Sequence, residues 1–163
     1  MLENCQSIKE RWGGVSKILD GWLQQRQELI IEFCTISGVH DVDSQESFNS
    51  DNHLRHFCEL MVDYISAGHF EVYDHLIQEA EELNDGKGME VARHLYPKIS
   101  QTTEHVLSFN DRFDAYQSGE AGLNLAADLS KLGETLVVRF ELEDQLLENL
   151  HYAHEDLIST ASA

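Results

Sequence analysis

Residues 54–83 read LRHFCELMVDYISAGHFEVYDHLIQEAEEL. Within them Leu54, Phe57, Cys58, Met61, Ile65, Val72, Leu76 and Leu83 recur mostly three, four or seven residues apart, the spacing that lines up one stripe of an α-helix. The NDGKG that follows at 84–88 has the composition of a turn, and Ser50 or Asp51 can cap the amino end. The spacing therefore predicts a helix over about 51–83, whose apolar stripe must be buried against other elements.

The same pattern extends in both directions. Upstream, Val15, Leu19, Trp22, Leu29, Ile30 and Phe33 form the stripe of a helix over about 2–37, with Gly38 as its stop. The stretch GVHDVDSQESFNSDN at 38–52 is polar and without period, so it reads as a connecting loop. Downstream, Val91, Leu95, Ile99, Thr102, Val106, Phe109 and Phe113 predict a third helix ending near Gly119, with a kink at Pro97 inside it. A fourth, from about Glu120, carries Leu125, Leu129, Leu132, Leu136, Phe140, Leu147, Leu150 and Ile158 inward, and its tail STASA at 159–163 is expected to fray. Four long amphipathic helices with mostly short links predict an all-α fold: an antiparallel four-helix bundle, forming one domain over 1–163.

Composition agrees with this reading. The 163 residues are 42% hydrophobic and 9% aromatic, enough apolar surface to offset the entropy of folding, and Pro97 is the single proline. Thirty acidic against eleven basic residues give a formal charge of -19, which repels phosphate backbones and anionic lipid headgroups and would attract a basic partner; the alternative reading of the charge alone is solubility. Direct nucleic-acid or membrane binding is not expected. Cys5, Cys34 and Cys58 are odd in number and widely spaced, which fits free thiols in a reducing compartment. Without a signal-peptide run or a stretch of roughly twenty apolar residues, the expected location is the cytoplasm.

Some polar residues fall on the inward stripes. Arg26 shares a face with Trp22 and Phe33, His69 lies beside Ile65 and Val72, and Glu143 sits between Leu136 and Leu147. A charge carried into a core needs a partner, so Arg26 is expected to pair with Glu143 or the adjacent Asp144, near His69, in a polar cluster that fixes helix register. A small-ligand cavity or a metal site at the same place is the competing reading. Di-iron bundles repeat Glu-x-x-His, whereas this chain has it once, Glu148 to His151. His53 with His56, and His75 with Glu79, have helical spacing that nine histidines produce by chance. No nucleophile elbow, phosphate loop or HExxH helix is present, so no catalytic residue, metal or cofactor is assigned.

The outward face of the second helix is more informative. Glu59, Asp63, Ala67, Phe70 and Asp74 project opposite the apolar stripe, and Phe70 stands beside the small residues Ser66, Ala67 and Gly68 within a rim of carboxylates. A partner helix would find there an apolar seat and charges to meet. The alternative is that Phe70 lies under the amino-terminal segment or a loop.

The segments MVDYISAGHFEVYDHLI at 61–77, RWGGVSKILDGWLQQRQELI at 11–30 and RFELEDQLLENLH at 139–151 resemble the Rsd/AlgQ family of anti-sigma factors, with its AlgQ members the closer likeness. The resemblance covers nearly the whole chain and is weakest at 39–50 and in EAEELNDGKG at 79–88. It implies a four-helix bundle that binds the promoter-reading C-terminal region of the primary sigma factor, a basic helix-turn-helix module, hindering its contacts with core polymerase and promoter DNA. It also implies a link to control of alginate and other secreted products. On the family pattern Asp63 is the residue for sigma binding; Phe70 and Asp74 come from projection alone, as do Glu59 and Ala67. RFELED matches as well, but Glu143 and Asp144 project inward and are assigned to structure. The expectation is a non-enzymatic anti-sigma regulator acting by stoichiometric sequestration without a cofactor. A ligand- or metal-sensing bundle built on Arg26, His69 and Glu143 is the alternative.

Overall fold

A computed structural model describes the backbone of residues 2–39, 47–118 and 123–161, with side chains at 8–38, 52–116, 118 and 123–159. Helix α1 is Leu2–Val39, α2 is Ser47–Ala67 and α3 is Tyr73–Glu82, the last two joined without a break by a π-helical segment, Gly68–Val72. Helix α4 is Gly86–Asp111 and α5 is Phe113–Ser118. Helix α6, Leu125–Leu147, passes through a second π-helical segment, Glu148–Tyr152, into α7, Ala153–Ala161. No strand occurs among the described residues, so the chain is all-α.

These elements form four rods, and side-chain contacts give their directions. Along α1, Arg11, Trp22 and Phe33 meet Glu82, Tyr64 and Phe57 of the second rod, so the two run antiparallel. Tyr73 and Phe57 meet Tyr96 and Phe109 of α4 in the same reversed order. Thr102 and Tyr116 meet Arg139 and Asp128 of α6, and Trp12 and Arg26 of α1 meet His151 and Asp144 of the fourth rod. Neighbouring rods therefore alternate up and down, as four amphipathic stripes joined by short links require.

The core is built from the expected stripes. Leu19, Trp22 and Leu29 of α1, Phe57, Met61 and Ile65 of α2, Leu95, Ile99 and Val106 of α4, and Leu129, Leu132 and Leu136 of α6 are all buried. Ile30 departs from its assignment: it is 42% exposed, while Ile36, six residues later, is buried. Tyr64, Tyr73 and Arg139 are also fully buried, and the periodicity did not assign them inward. Gly133 admits close packing, since a Cβ there would lie 2.7 Å from Phe33 Cζ.

Several boundaries differ from expectation, each for a local reason. Helix α1 continues through Gly38 to Val39, because a glycine permits a stop without forcing one. Helix α2 starts at Ser47, placing Ser50 and Asp51 inside it rather than at its cap; residues 40–46 of the expected loop lie outside the described residues. The second rod closes at Asn84, whose φ of 54° is a left-handed conformation that Asn tolerates. Asp85 then caps α4 by accepting from the Gly88 N–H at 2.9 Å. Helix α4 contains exposed Pro97, where a kink was expected, and ends not near Gly119 but at Asp111, where Arg112 (φ −87°, ψ 0°) turns the chain into α5. The fourth rod starts at Leu125, where Asn124 accepts from the Ala127 N–H at 3.1 Å; the expected ends at Gly119 and Glu120 lie outside the described residues. Helix α7 extends to Ala161, into the tail expected to fray, and residues 162–163 lie outside the described ones. Among the described residues no helix is long and apolar enough to cross a membrane.

Candidate functional site

The interior polar cluster centres on Glu143, which has no exposed surface. Tyr64 donates to its Oε1 at 2.5 Å and Tyr73 to its Oε2 at 2.6 Å. Each tyrosine oxygen in turn accepts from a guanidinium, Arg26 Nε at 3.0 Å and Arg139 Nη2 at 3.1 Å. Arg139 Nε lies 3.3 Å from Glu143 Oε2, and Arg26 Nη2 lies 3.4 Å from Oε1. Trp22 stacks on Tyr64 at 4.8 Å and donates to its backbone carbonyl at 3.0 Å, holding α1 on α2. Burial raises the Glu143 carboxyl above its ordinary range, while Arg139, the two tyrosine hydroxyls and Arg26 pull against it. Burial and the neighbouring Glu143 charge push both tyrosines well up, so they remain donors. These bonds hold α1, the second rod and α6 in one register, and Arg139 Nη1 brings in α4 by donating to Thr102 Oγ1 at 3.0 Å.

Arg26 and Glu143 lie in the cluster, His69 stands beside it and Asp144 at its rim. The Asp144 side chain is 53% exposed; it holds Arg26 Nη1 at 2.6 Å from the rim of the cluster rather than from inside. One residue along a helix turns the side chain by about 100°, so adjacent Glu143 and Asp144 cannot both point at the axis. His69 is half-buried and bonds Thr103 Oγ1 at 2.8 Å, reaching the cluster through Arg139 Nη2 at 3.4 Å. Burial and the Arg139 charge lower its pKa. Arg139, like Tyr64 and Tyr73, was missed, and its signal was its place four residues before Glu143, three after Leu136.

The histidine spacings resolve differently. His53 pairs with Glu32 of α1 at 2.7 Å. Glu79 turns to His151 and His154 rather than to His75, and Glu148 is exposed. Among the described residues no group of three or more His, Cys, Asp or Glu side chains is arranged to hold a metal ion.

On the outside, Glu59, Asp63, Phe70 and Asp74 are exposed and Ala67 is half-buried. Phe70 is 82% exposed, so its ring lies under no described segment. It stands on the first π-helical segment, two residues after Gly68, whose missing Cβ leaves room for Trp22 and the Tyr73 hydroxyl beneath. Glu59 and Asp63 border a groove of about 620 Å³ between α2 and the α4–α5 corner, floored by Cys58, Val62 and Phe113. Burial and the Glu59 charge push the Cys58 thiol up to about 12, so it stays protonated. The face offers an apolar anchor, open carboxylates and no nucleophile.

Residues 1–151 match the family described as regulator of RNA polymerase sigma(70) subunit, Rsd/AlgQ. The chain is 33% identical over 149 residues to the Regulator of sigma D of Yersinia enterocolitica serotype O:8 / biotype 1B, covering 91% of this chain and 89% of that one. It is 32% identical over 165 residues to the Regulator of sigma D of Enterobacter sp. (strain 638), covering 98% of each. No solved structure matches. With the helical fold and the acidic α2 face, these matches show that the chain belongs to the Rsd/AlgQ family, anti-sigma regulators of the sigma(70) subunit of RNA polymerase.

Proposed function

We propose that this protein binds the basic C-terminal helix-turn-helix region of the primary sigma factor through Glu59, Asp63, Ala67, Phe70 and Asp74, sequestering it in the cytoplasm from core polymerase and promoter DNA. The observation that carries the reading is Phe70, 82% exposed on a face whose neighbouring carboxylates are also open. Burying such a ring against a partner contributes on the order of 2 kcal/mol, and the carboxylates compete with DNA phosphates for the same basic residues. A formal charge of -19 steers that encounter. The relatives' name, Regulator of sigma D, supports the choice of partner. Sequestration needs neither a covalent step nor a cofactor, and any control of alginate or other secreted products follows indirectly, from redistribution of polymerase among sigma factors.

Titration calorimetry against the isolated C-terminal region of the host's primary sigma factor tests this. Wild type should bind one-to-one at roughly micromolar or tighter, and Asp63→Ala and Phe70→Ala should each weaken binding by about tenfold or more. Raising monovalent salt from about 0.05 to about 0.3 M should weaken wild type further. Phe70→Ala should keep its unfolding free energy within about 0.5 kcal/mol, because the ring packs on nothing. A folded wild type that leaves the sigma region unbound would sink the proposal.

A further inference from the structure

His154 has no exposed surface, yet a carboxylate meets each of its ring nitrogens: Glu79 Oε1 lies 2.6 Å from Nδ1 and Asp85 Oδ2 lies 2.7 Å from Nε2. An imidazole donates from both nitrogens only when it carries its second proton. His151, also fully buried, needs no charge: Nδ1 donates to Glu79 Oε2 at 3.0 Å, and Nε2 accepts from Ser16 Oγ at 2.9 Å. The second π-helical segment, Glu148–Tyr152, lies just before α7, and His151 and His154, three residues apart, share the inward face. Trp12 stacks on His151 at 4.3 Å and donates to its backbone carbonyl at 2.9 Å, while Asp85 also caps α4.

We propose that Glu79, Asp85, His151 and His154 form a proton-controlled latch that clamps the end of the fourth rod onto the α3–α4 turn and the amino-terminal part of α1. Every packed element supplies groups to it. From α3 come Glu79, and Glu82 paired with Arg11 of α1; His75 shares a cavity wall with Glu79. The turn supplies Asp85 and Lys87, and α1 places the uncharged Ser16 and Trp12 against His151. Burial alone would discharge His154, but hydrogen bonds to Glu79 and Asp85 and their charges outweigh it and raise its pKa. Burial opposes ionisation of both carboxylates, but hydrogen bonds from His151 and His154 lower the pKa of Glu79, and those from the Gly88 N–H and His154 lower that of Asp85. The His154 contribution is thus complete below the ordinary value of 6.5 and is lost as pH rises through the higher folded value. The carboxylate contributions are present above the ordinary 4.5 and 3.8 and are lost as pH falls through the lower folded values. Between these limits the latch is closed; on the alkaline side it opens, loosening α7 and freeing Trp12 from its stack. That exposes the apolar wall of the cavity of about 490 Å³ between α1 and α3, which includes Trp12, Val15 and Ile18.

Nitrogen NMR of the histidine rings, followed with amide hydrogen exchange across pH, tests the latch on the whole chain. His154 should show two ring protons at neutral pH and a midpoint above 6.5. Protection factors across α7 should fall roughly tenfold above that midpoint. Asp85→Asn keeps an oxygen for the Gly88 cap but removes the charge, so both the midpoint and the onset of α7 exchange should move down by about one unit. A single ring proton on His154 at pH near 6, or α7 protection that stays constant while His154 titrates, would overturn the proposal. Wild type alone yields both readouts even where the variant does not fold.

Discussion

Glu143 receives Tyr64 from α2, Tyr73 from α3, Arg26 from α1 and Arg139 from its own helix, so the registers of three rods are read against one carboxylate, and α4 joins through Thr102, which accepts from Arg139 Nη1 at 3.0 Å. Removing it leaves Arg139, wholly buried, without a counter-charge. Glu143→Ala should lower the unfolding free energy by about 3–5 kcal/mol in urea titrations, and a loss below about 1 kcal/mol would show that the network does not hold the core. Part of this cluster was legible in the sequence. Arg26 and Glu143 stand on apolar stripes, and an inward charge demands an opposite one. Tyr64 and Tyr73 were not, because a tyrosine serves equally at a core or a rim, and only the neighbouring rods decide where its hydroxyl finds a partner. Asp144 shows the converse: its charge does meet Arg26, but the long arginine side chain reaches outward to find it.

At the scale of elements, the turn at 84–88 and the two π-helical segments set what the rods present. Gly88 tolerates no side chain, since a Cβ would lie 2.2 Å from Asp85 Oδ2 and 2.7 Å from Leu150 Cδ2. Gly88→Ala should therefore cost about 1–3 kcal/mol in thermal or urea unfolding. Gly21, exposed in the interior of α1 with nothing within 4 Å of where a Cβ would stand, gives the contrast: Gly21→Ala should stabilise by about 0.5–1 kcal/mol. Equal effects at the two glycines would refute this account of the turn. The helices themselves were legible from spacing, as were the turn at NDGKG and Phe70 on the outer face. The π-helical segments were not, because one extra residue in a turn leaves the apolar spacing nearly unchanged while rotating everything after it by about a quarter turn. His151 and His154, three residues apart across the end of the second segment, both reach Glu79.

For the molecule as a whole, the dominant feature is thirty carboxylates against eleven basic side chains. Self-repulsion opposes compaction, and salt shortens its range to about 10 Å at 0.1 M. The melting temperature should rise between about 0.02 and about 0.3 M NaCl even as affinity for a basic partner falls; a melting temperature that drops with salt would mean that ion pairs outweigh repulsion. The sequence by itself determined the all-α class, the stripes that fill the core, the acidic outer face of α2 and the family, because helical period and net charge are properties of local order and composition. Only the tertiary structure decided which inward charges meet. Glu79 and His154 are 75 residues apart, and Tyr64 and Glu143 are 79 apart. Such pairings depend on rod direction, register and the angular offset of a π turn, and a pattern of three and four carries none of these.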